Sequence, residues 1–319
     1  MTAGLDVLTI GRVGVDFYAD ELNAGFTEAR RFQKSVGGSP TNVAVAAARL
    51  GRRAAVFTKV GDDGLGAYVR HALEHEFGVD TRFVGSHPTL LTPIVVAVLD
   101  PPEDPKFVFY REPRAPDSTI LANEVDLSVI RDVPILWVSA GALAVEPSRG
   151  TTRALLVARD RAQHTVLDLD YRPSFWEGEA DARHEIGEAV EEATIAVGNR
   201  TECEVATGAS EPDAAADALL ARGVETAIVK LGGDGVLVAT EDERRVIPPL
   251  SVEVVCALGA GDAFGGALCH GLLAGMSPFE AAALANAAGA LVASRLLCAD
   301  AMPTEDELSQ LVEAQSARR

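Results

Sequence analysis

The chain is short of positive charge, of cysteine and of long apolar runs, and each shortage removes a class of function. Only 28 Lys and Arg stand against 47 Asp and Glu in 319 residues, a net charge of -19. Such a surface repels a phosphate backbone, and the basic residues are scattered rather than gathered into a stripe, so nucleic acid is not an expected partner. The four cysteines, Cys203, Cys256, Cys269 and Cys298, have neither the spacing of a zinc site nor the density of a secreted disulfide scaffold. They read as reduced thiols of a cytoplasmic protein. The opening MTAGLDVLTI lacks the basic flank and apolar run of a signal peptide. The stretch AAALANAAGALVAS carries Asn286 and follows Ser277-Pro278, so it reads as a buried globular helix and no membrane span is expected. Also missing is a G-x-G-x-x-G after the first strand, where the chain reads IGRVGVD. That excludes a dinucleotide-binding dehydrogenase.

What is present suits one large α/β domain: 48% hydrophobic and 24% charged residues can bury a substantial core. Short β-rich runs (LDVLTI, AAVFTKV, PILWVSA, TVLDLD, TIAVGN, TAIVKLG) alternate with helical segments such as TNVAVAAARLG and GTTRALLVARDRAQ. This alternation predicts a doubly wound, mostly parallel sheet over residues 1–319, with strands apolar on both faces because helices cover both. Two segments, about 14–34 and 92–112, instead alternate polar and apolar residues without intervening helices. They predict a small inserted antiparallel sheet, placed as a lid that excludes water from a crevice at the carboxyl edge. The simpler alternative is an antiparallel extension of the main sheet.

The sharpest local feature is the turn Gly259, Ala260, Gly261, Asp262, opening the small-residue run AFGGALCHGLLAG. Free backbone N–H groups at such a helix start converge on one spot, and the macrodipole adds positive potential, so developing phosphoryl charge is held there. Asp262 then lies within reach of an incoming hydroxyl as a base; the plainer alternative is a dipole partner in a first helical turn. A second element is Gly37-Gly38-Ser39-Pro40-Thr41-Asn42, where the glycines permit close approach of a ligand and Asn42 offers both donors and an acceptor to a polyol. It also reads as a helix start with Ser39 as N-cap and Pro40 at N1. Asp16, at the end of IGRVGVD, is the carboxylate to grip a hydroxyl from the other side.

These two motifs, in this order and far apart, resemble the PfkB, or ribokinase-like, family of carbohydrate kinases, and the likeness runs from about Leu5 to Pro303. The resemblance implies an ATP-dependent phosphotransferase using Mg²⁺, with the first motif on the sugar and GAGD as the catalytic anion hole. Asn199 and Glu202 in GNRTECE fall on the family's N-x-x-E element, associated with Mg²⁺ and phosphate through water. Lys230 with Gly232 to Gly235 matches its nucleotide-side turn, and Asn286 falls where the family lines the adenine pocket, although by itself it reads as a core amide satisfied by backbone. Family lids often pair between subunits, which implies a homodimer.

Within the family, IGRVGVD, VFYREP, VLDLDYRPSFW and DAMPT are most similar to the inositol-catabolic branch, whose substrate is the sugar acid 5-dehydro-2-deoxygluconate. A sugar acid brings a carboxylate, for which guanidinium forks are suited. Arg111, with Tyr110 beside it, and Arg172 are the candidates, with Arg12 a weaker third; the alternative for Arg172 is a structural pair with Asp168 or Asp170. 2-Dehydro-3-deoxygluconate and fructose are the alternative substrates, and a sugar or nucleotide sensor on the kinase fold is the non-enzymatic one. Two departures stand out. Cys256 and Ala257 occupy positions where many members carry an Asp-Thr pair tied to a monovalent cation, which puts potassium activation in question. Cys256 reads instead as an apolar strand residue. Ser39 stands where the ribose-using branch commonly has Lys, which argues against ribose.

Overall fold

The computed structural model describes residues 4–101, 105–162 and 164–316. Its strands are β1 (Val7–Ile10), β2 (Gly14–Ala19), β3 (Phe32–Gly37), β4 (Ala54–Gly61), β5 (Val84–His87), β6 (Ile94–Val98), β7 (Lys106–Tyr110), β8 (Ile135–Ser139), β9 (His164–Asp168), β10 (Ile195–Asn199), β11 (Thr226–Lys230), β12 (Val236–Ala239) and β13 (Arg244–Ile247). The helices are α1 (Ser39–Arg49), α2 (Gly64–His71), α3 (Leu127–Asp132), α4 (Ser148–Arg159), α5 (Glu179–Glu191), α6 (Arg200–Thr207), α7 (Pro212–Ala221), α8 (Ala260–Leu273), α9 (Pro278–Ala293) and α10 (Glu305–Ser316).

Nine strands form the main sheet in the order β13-β12-β11-β10-β9-β8-β1-β4-β5. All pairs from β11 to β5 are parallel; β12 and β13 add an antiparallel edge. Period-2 alternation divides the strand side chains between two cores. Ile135 and Trp137 of β8 join α1, α8 and α9 on one face, while Leu136 and Val138 join α3 to α7 on the other. This explains the continuous apolar runs: β1 and β4 have no exposed face, and all eight residues of β4 are buried.

The remaining strands form a separate sheet, β3-β2-β6-β7. Its two outer pairs, β2 with β3 and β6 with β7, are antiparallel, and a parallel β2–β6 seam joins the two segments. Residues 102–104 of the second predicted segment lie outside the described residues. Register puts Asp16, Val95 and Phe109 in one row, and Tyr18, Ala97 and Phe107 in the next, on the same face. That face looks onto the carboxyl ends of the parallel strands, across a large cleft.

One expectation about α1 changes. Its N-cap is Gly38, at φ 103°, and Ser39 is already helical. The Ser39 hydroxyl turns away from capping because it donates to Asp168 Oδ2 at 3.1 Å. A Cβ at position 38 would run into the carbonyl of Arg12, so the close approach of β1's exit loop to α1 requires glycine there. Thr41 Oγ1 donates to the same carbonyl at 3.0 Å and fastens the contact.

Candidate active site

The cleft has a volume of about 910 Å³ and is lined from both sheets and from the start of α8. Four of the parallel strands deliver a polar residue to it as they end. Arg12 follows β1, Asp168 ends β9 with Asp170 just beyond, Asn199 ends β10 and Lys230 ends β11. The small sheet contributes Asp16 and Phe109 from the opposite side.

Asp262 lies in the first turn of α8, whose N-cap Gly259 has the left-handed φ of 81° that glycine tolerates. Its Oδ2 accepts from Asn42 Nδ2 at 2.8 Å. Because α1 and α8 are packed together, the two glycine motifs, 220 residues apart, meet at one carboxylate. Burial pushes the Asp262 pKa up and nearby Asp170 adds to this, while the hydrogen bond from Asn42, Arg12 and Ser39 pull it down. The carboxylate is therefore poised as a proton acceptor whose charged form depends on its donors. Asn42 lines the cleft, and its Oδ1 is buried with no hydrogen-bond partner.

A charged network runs behind Asp262. Arg12 makes a two-pronged ion pair with Asp170, and Arg172 reaches the same Asp170 at 3.1 Å and Glu202 at 3.5 Å. Burial would raise Asp170, but Arg12, Arg172 and a 2.7 Å bond from Ser139 hold it well below the usual carboxylate range. Asp168 goes the other way: burial and its acidic neighbours push it up, with Lys230 opposing. Lys230 remains charged because Glu202, at 4.0 Å, and the other carboxylates outweigh its own burial. A Cβ built on Gly261 would lie 3.4 Å from Lys230 Nζ, so this ammonium stands beside the first turn of α8. The lining carries five carboxylates (Asp16, Asp168, Asp170, Glu202, Asp262) against four cations (Arg12, Arg111, Arg172, Lys230). A triphosphate entering so acidic a cleft needs further positive potential, which the α8 N-terminus supplies in part and a divalent cation would complete.

The donor set fits Mg²⁺ as an ion held largely by phosphates and water. Among the described residues there is no cluster of three or more His, Cys, Asp or Glu able to cage a metal. Asn199 and Glu202 form a reciprocal cap on α6: Glu202 Oε2 accepts from the Asn199 backbone at 2.7 Å and Asn199 Oδ1 from the Glu202 backbone at 2.9 Å. Engaged in this way, they suit contact with the ion through water.

A family model for pfkB family carbohydrate kinases matches residues 5–305. The chain belongs to this family. It is 33% identical over 320 residues to a 5-dehydro-2-deoxygluconokinase of Photobacterium profundum, and 32% identical over 317 residues to one of Shouchella clausii. The alignments cover 97% of this chain in both cases, and 95% and 96% of those relatives. Among solved structures it superposes on a Vibrio cholerae fructokinase double mutant in fructose, ADP and potassium ion bound form, with a TM-score of 0.86 and 27% identity over 98% of this chain and 99% of that one. The fold is ribokinase-like and the protein is a sugar phosphotransferase.

Of the residues singled out in this PfkB chain, Asp16, Gly38, Asn42, Arg111, Arg172, Asn199, Glu202, Lys230, Gly232, Gly235, Gly259, Ala260, Gly261, Asp262 and Asn286 all line the one cleft. Asn286 is half-buried rather than in the core; its Nδ2 donates to the Pro248 carbonyl at 2.9 Å. Gly37 stands just behind it: a Cβ there would overlap the Asp16 carboxylate. Tyr110 does not join them. Alternation along β7 turns it to the outer face, opposite Ile94, and leaves it 58% exposed. Arg111, on the cleft side, is paired with Asp117 at 2.7 Å and lies 4.7 Å from the ring centroid of Phe175. Cys256 is buried beside Tyr18, Ala97, Leu99 and Cys298, in irregular chain rather than a strand.

Among the residues that line the cleft, sequence reasoning missed Tyr18, Phe109 and Cys298. The alternation Gly14-x-Asp16-x-Tyr18 carried a signal for Tyr18; nothing local marks Cys298, which reaches the cleft through tertiary packing alone.

Proposed function

We propose that the chain transfers the γ-phosphoryl of ATP to the terminal hydroxyl of 5-dehydro-2-deoxy-D-gluconate, giving the 6-phosphate. The observation that carries the reading is the meeting of Asp262 and Asn42 at the start of α8, where base and anion hole share one helical turn. Asp262 accepts the hydroxyl proton as the oxygen attacks in line, and the N–H groups from Gly259 to Asp262 hold the γ-phosphate oxygens. Lys230 adds charge beside them, while Gly232, Gly235 and Asn286 border the nucleotide. When bound, Mg²⁺ neutralises the phosphates, with Asn199 and Glu202 reaching it through water. Asp16 and Asn42 grip sugar hydroxyls, and the small sheet serves as a lid that keeps water from the reaction. Its outer face exposes Val108 and Tyr110, which suits pairing with a second copy.

The sugar-acid assignment rests on the kinase names of the relatives that are 31–33% identical, together with Arg111 and Arg172 as carboxylate forks. A second reading, a neutral hexose such as fructose, is favoured by one observation: both arginines already hold carboxylates, Asp117 and Asp170. Coupled ATP turnover with Mg²⁺ on 5-dehydro-2-deoxygluconate, 2-dehydro-3-deoxygluconate, fructose, ribose and adenosine separates these. Preference for the first supports the proposal; preference for fructose keeps the kinase and overturns the clamp; silence on all five overturns the substrate class.

A further inference from the structure

The Tyr18 hydroxyl, on the cleft face of β2, lies 3.0 Å from Asp16 Oδ2 and 2.7 Å from Cys298 Sγ. All three side chains line the cleft, and Tyr18 is 1% exposed. We propose that Tyr18, oriented by Cys298, is a positioning residue that ties down one oxygen of Asp16 and leaves the other for a sugar hydroxyl. This rests on the reading of Asp16 as a sugar-binding group.

The direction of the chain follows from counting hydrogens. A phenol has one hydrogen to donate, and a carboxylate only accepts, so Tyr18 donates to Asp16. Burial keeps both the Tyr18 phenol and the Cys298 thiol protonated well beyond neutral pH. The thiol hydrogen is then free to point at the phenol oxygen, which fixes the hydroxyl rotor toward Asp16. Gly37 closes the other side, since any Cβ there would overlap the Asp16 carboxylate. Asp16 thus has little rotational freedom, and its remaining oxygen has a defined direction.

Burial raises Asp16 to about 7, the Tyr18 hydrogen bond lowers it, Asp262 of α8 raises it and Arg12 of the loop after β1 lowers it. Tyr68 of α2 and Cys298 from beyond α9 also stand in its electrostatic neighbourhood, and Cys256 borders Tyr18. A carboxylate so close to neutrality changes its hydroxyl-binding character over a small pH range, and Tyr18 holds it on the charged side.

The test uses the full chain labelled with ¹³C at Asp carboxyls, with Asp16→Asn assigning the resonance. In Tyr18→Phe the Asp16 carboxyl is expected to titrate at higher pH than in the wild type. Cys298→Ala is expected to move it less in the same direction, and Cys298→Ser, which keeps a donor, to restore the wild-type curve. Affinity for 5-dehydro-2-deoxygluconate without nucleotide should fall about 3- to 10-fold at pH 7 in Tyr18→Phe, the scale of one hydrogen bond, and the difference should close as pH rises. An Asp16 titration unchanged by Tyr18→Phe overturns the proposal whatever the sugar. A shifted titration with unchanged affinity overturns the positioning role. A shifted titration in a protein whose wild type binds no sugar of the panel supports the tether and refutes the substrate reading on which it was built.

Discussion

Replacing Asn42 by Ala removes a single donor from Asp262, and the consequences can be worked from the site. The bond is 2.8 Å long, runs to a buried carboxylate and is one of the influences that lower a pKa that burial raises. A hydrogen bond to a charged group contributes about 1.5–3 kcal/mol, and each 1.4 kcal/mol is about tenfold in an equilibrium, so the charged form of the base loses about 10- to 100-fold in stability relative to the neutral one. The sign follows: catalysis needs the carboxylate, losing the donor raises the folded pKa further, and the acid limb of kcat moves to higher pH. At pH 7, kcat should fall about tenfold or more and recover in alkaline buffer. The assay is kcat against pH at saturating sugar and ATP, for Asn42→Ala and wild type. A loss of equal size at every pH, with no movement of the limb, would refute the argument that Asn42 acts through the ionisation of Asp262.

Other substitutions probe the frame around the base. A Cβ at Gly266 of α8 would meet the side chain of Ala46 and the backbone of Ala47 in α1, so Gly266→Ala should separate the helices, cost about 1–3 kcal/mol by denaturant unfolding and lower kcat with it. Arg172→Ala should raise KM for the sugar acid about tenfold or more while leaving ATP affinity within a few-fold, because a charge-assisted fork is lost; equal KM values would remove Arg172 from the sugar site. Glu307 of α10 is held down to about 2 by the backbone of Thr304 and by Arg295, so its contribution is present above the unfolded pKa and fades as pH falls toward 2. Glu307→Gln should therefore lower Tm at pH 7, with a smaller difference at pH 3.

The main fold was legible because the strand runs and the helices between them follow the two periods without conflict. Val7 and Leu8, or Leu136 and Trp137, go to opposite cores as alternation requires. The small sheet was expected from the helix-free segments at about 14–34 and 92–112, but the parallel β2–β6 seam was not, since no local pattern states which two segments pair. Residues of both GAGD and GGSPTN line the one cleft. That they meet through Asn42 and Asp262 depends on the close packing of α1 on α8, which small residues permit and do not announce. The arginines show the limit most clearly. Arg12 was the weakest candidate and is the most deeply set, because Ser139 at the end of β8 and Asp170 just beyond β9 build its seat. Tyr110 was misjudged by one residue of alternation.

The most direct test is Asp262→Asn, measured for phosphoryl transfer and for sugar and ATP binding in the same preparation. The change keeps the shape and removes the proton acceptor. The account predicts turnover lowered by about 100-fold or more, with both ligands bound within a few-fold of wild type and the fold intact. Turnover near the wild-type value would contradict Asp262 as the base and with it the central claim about the site.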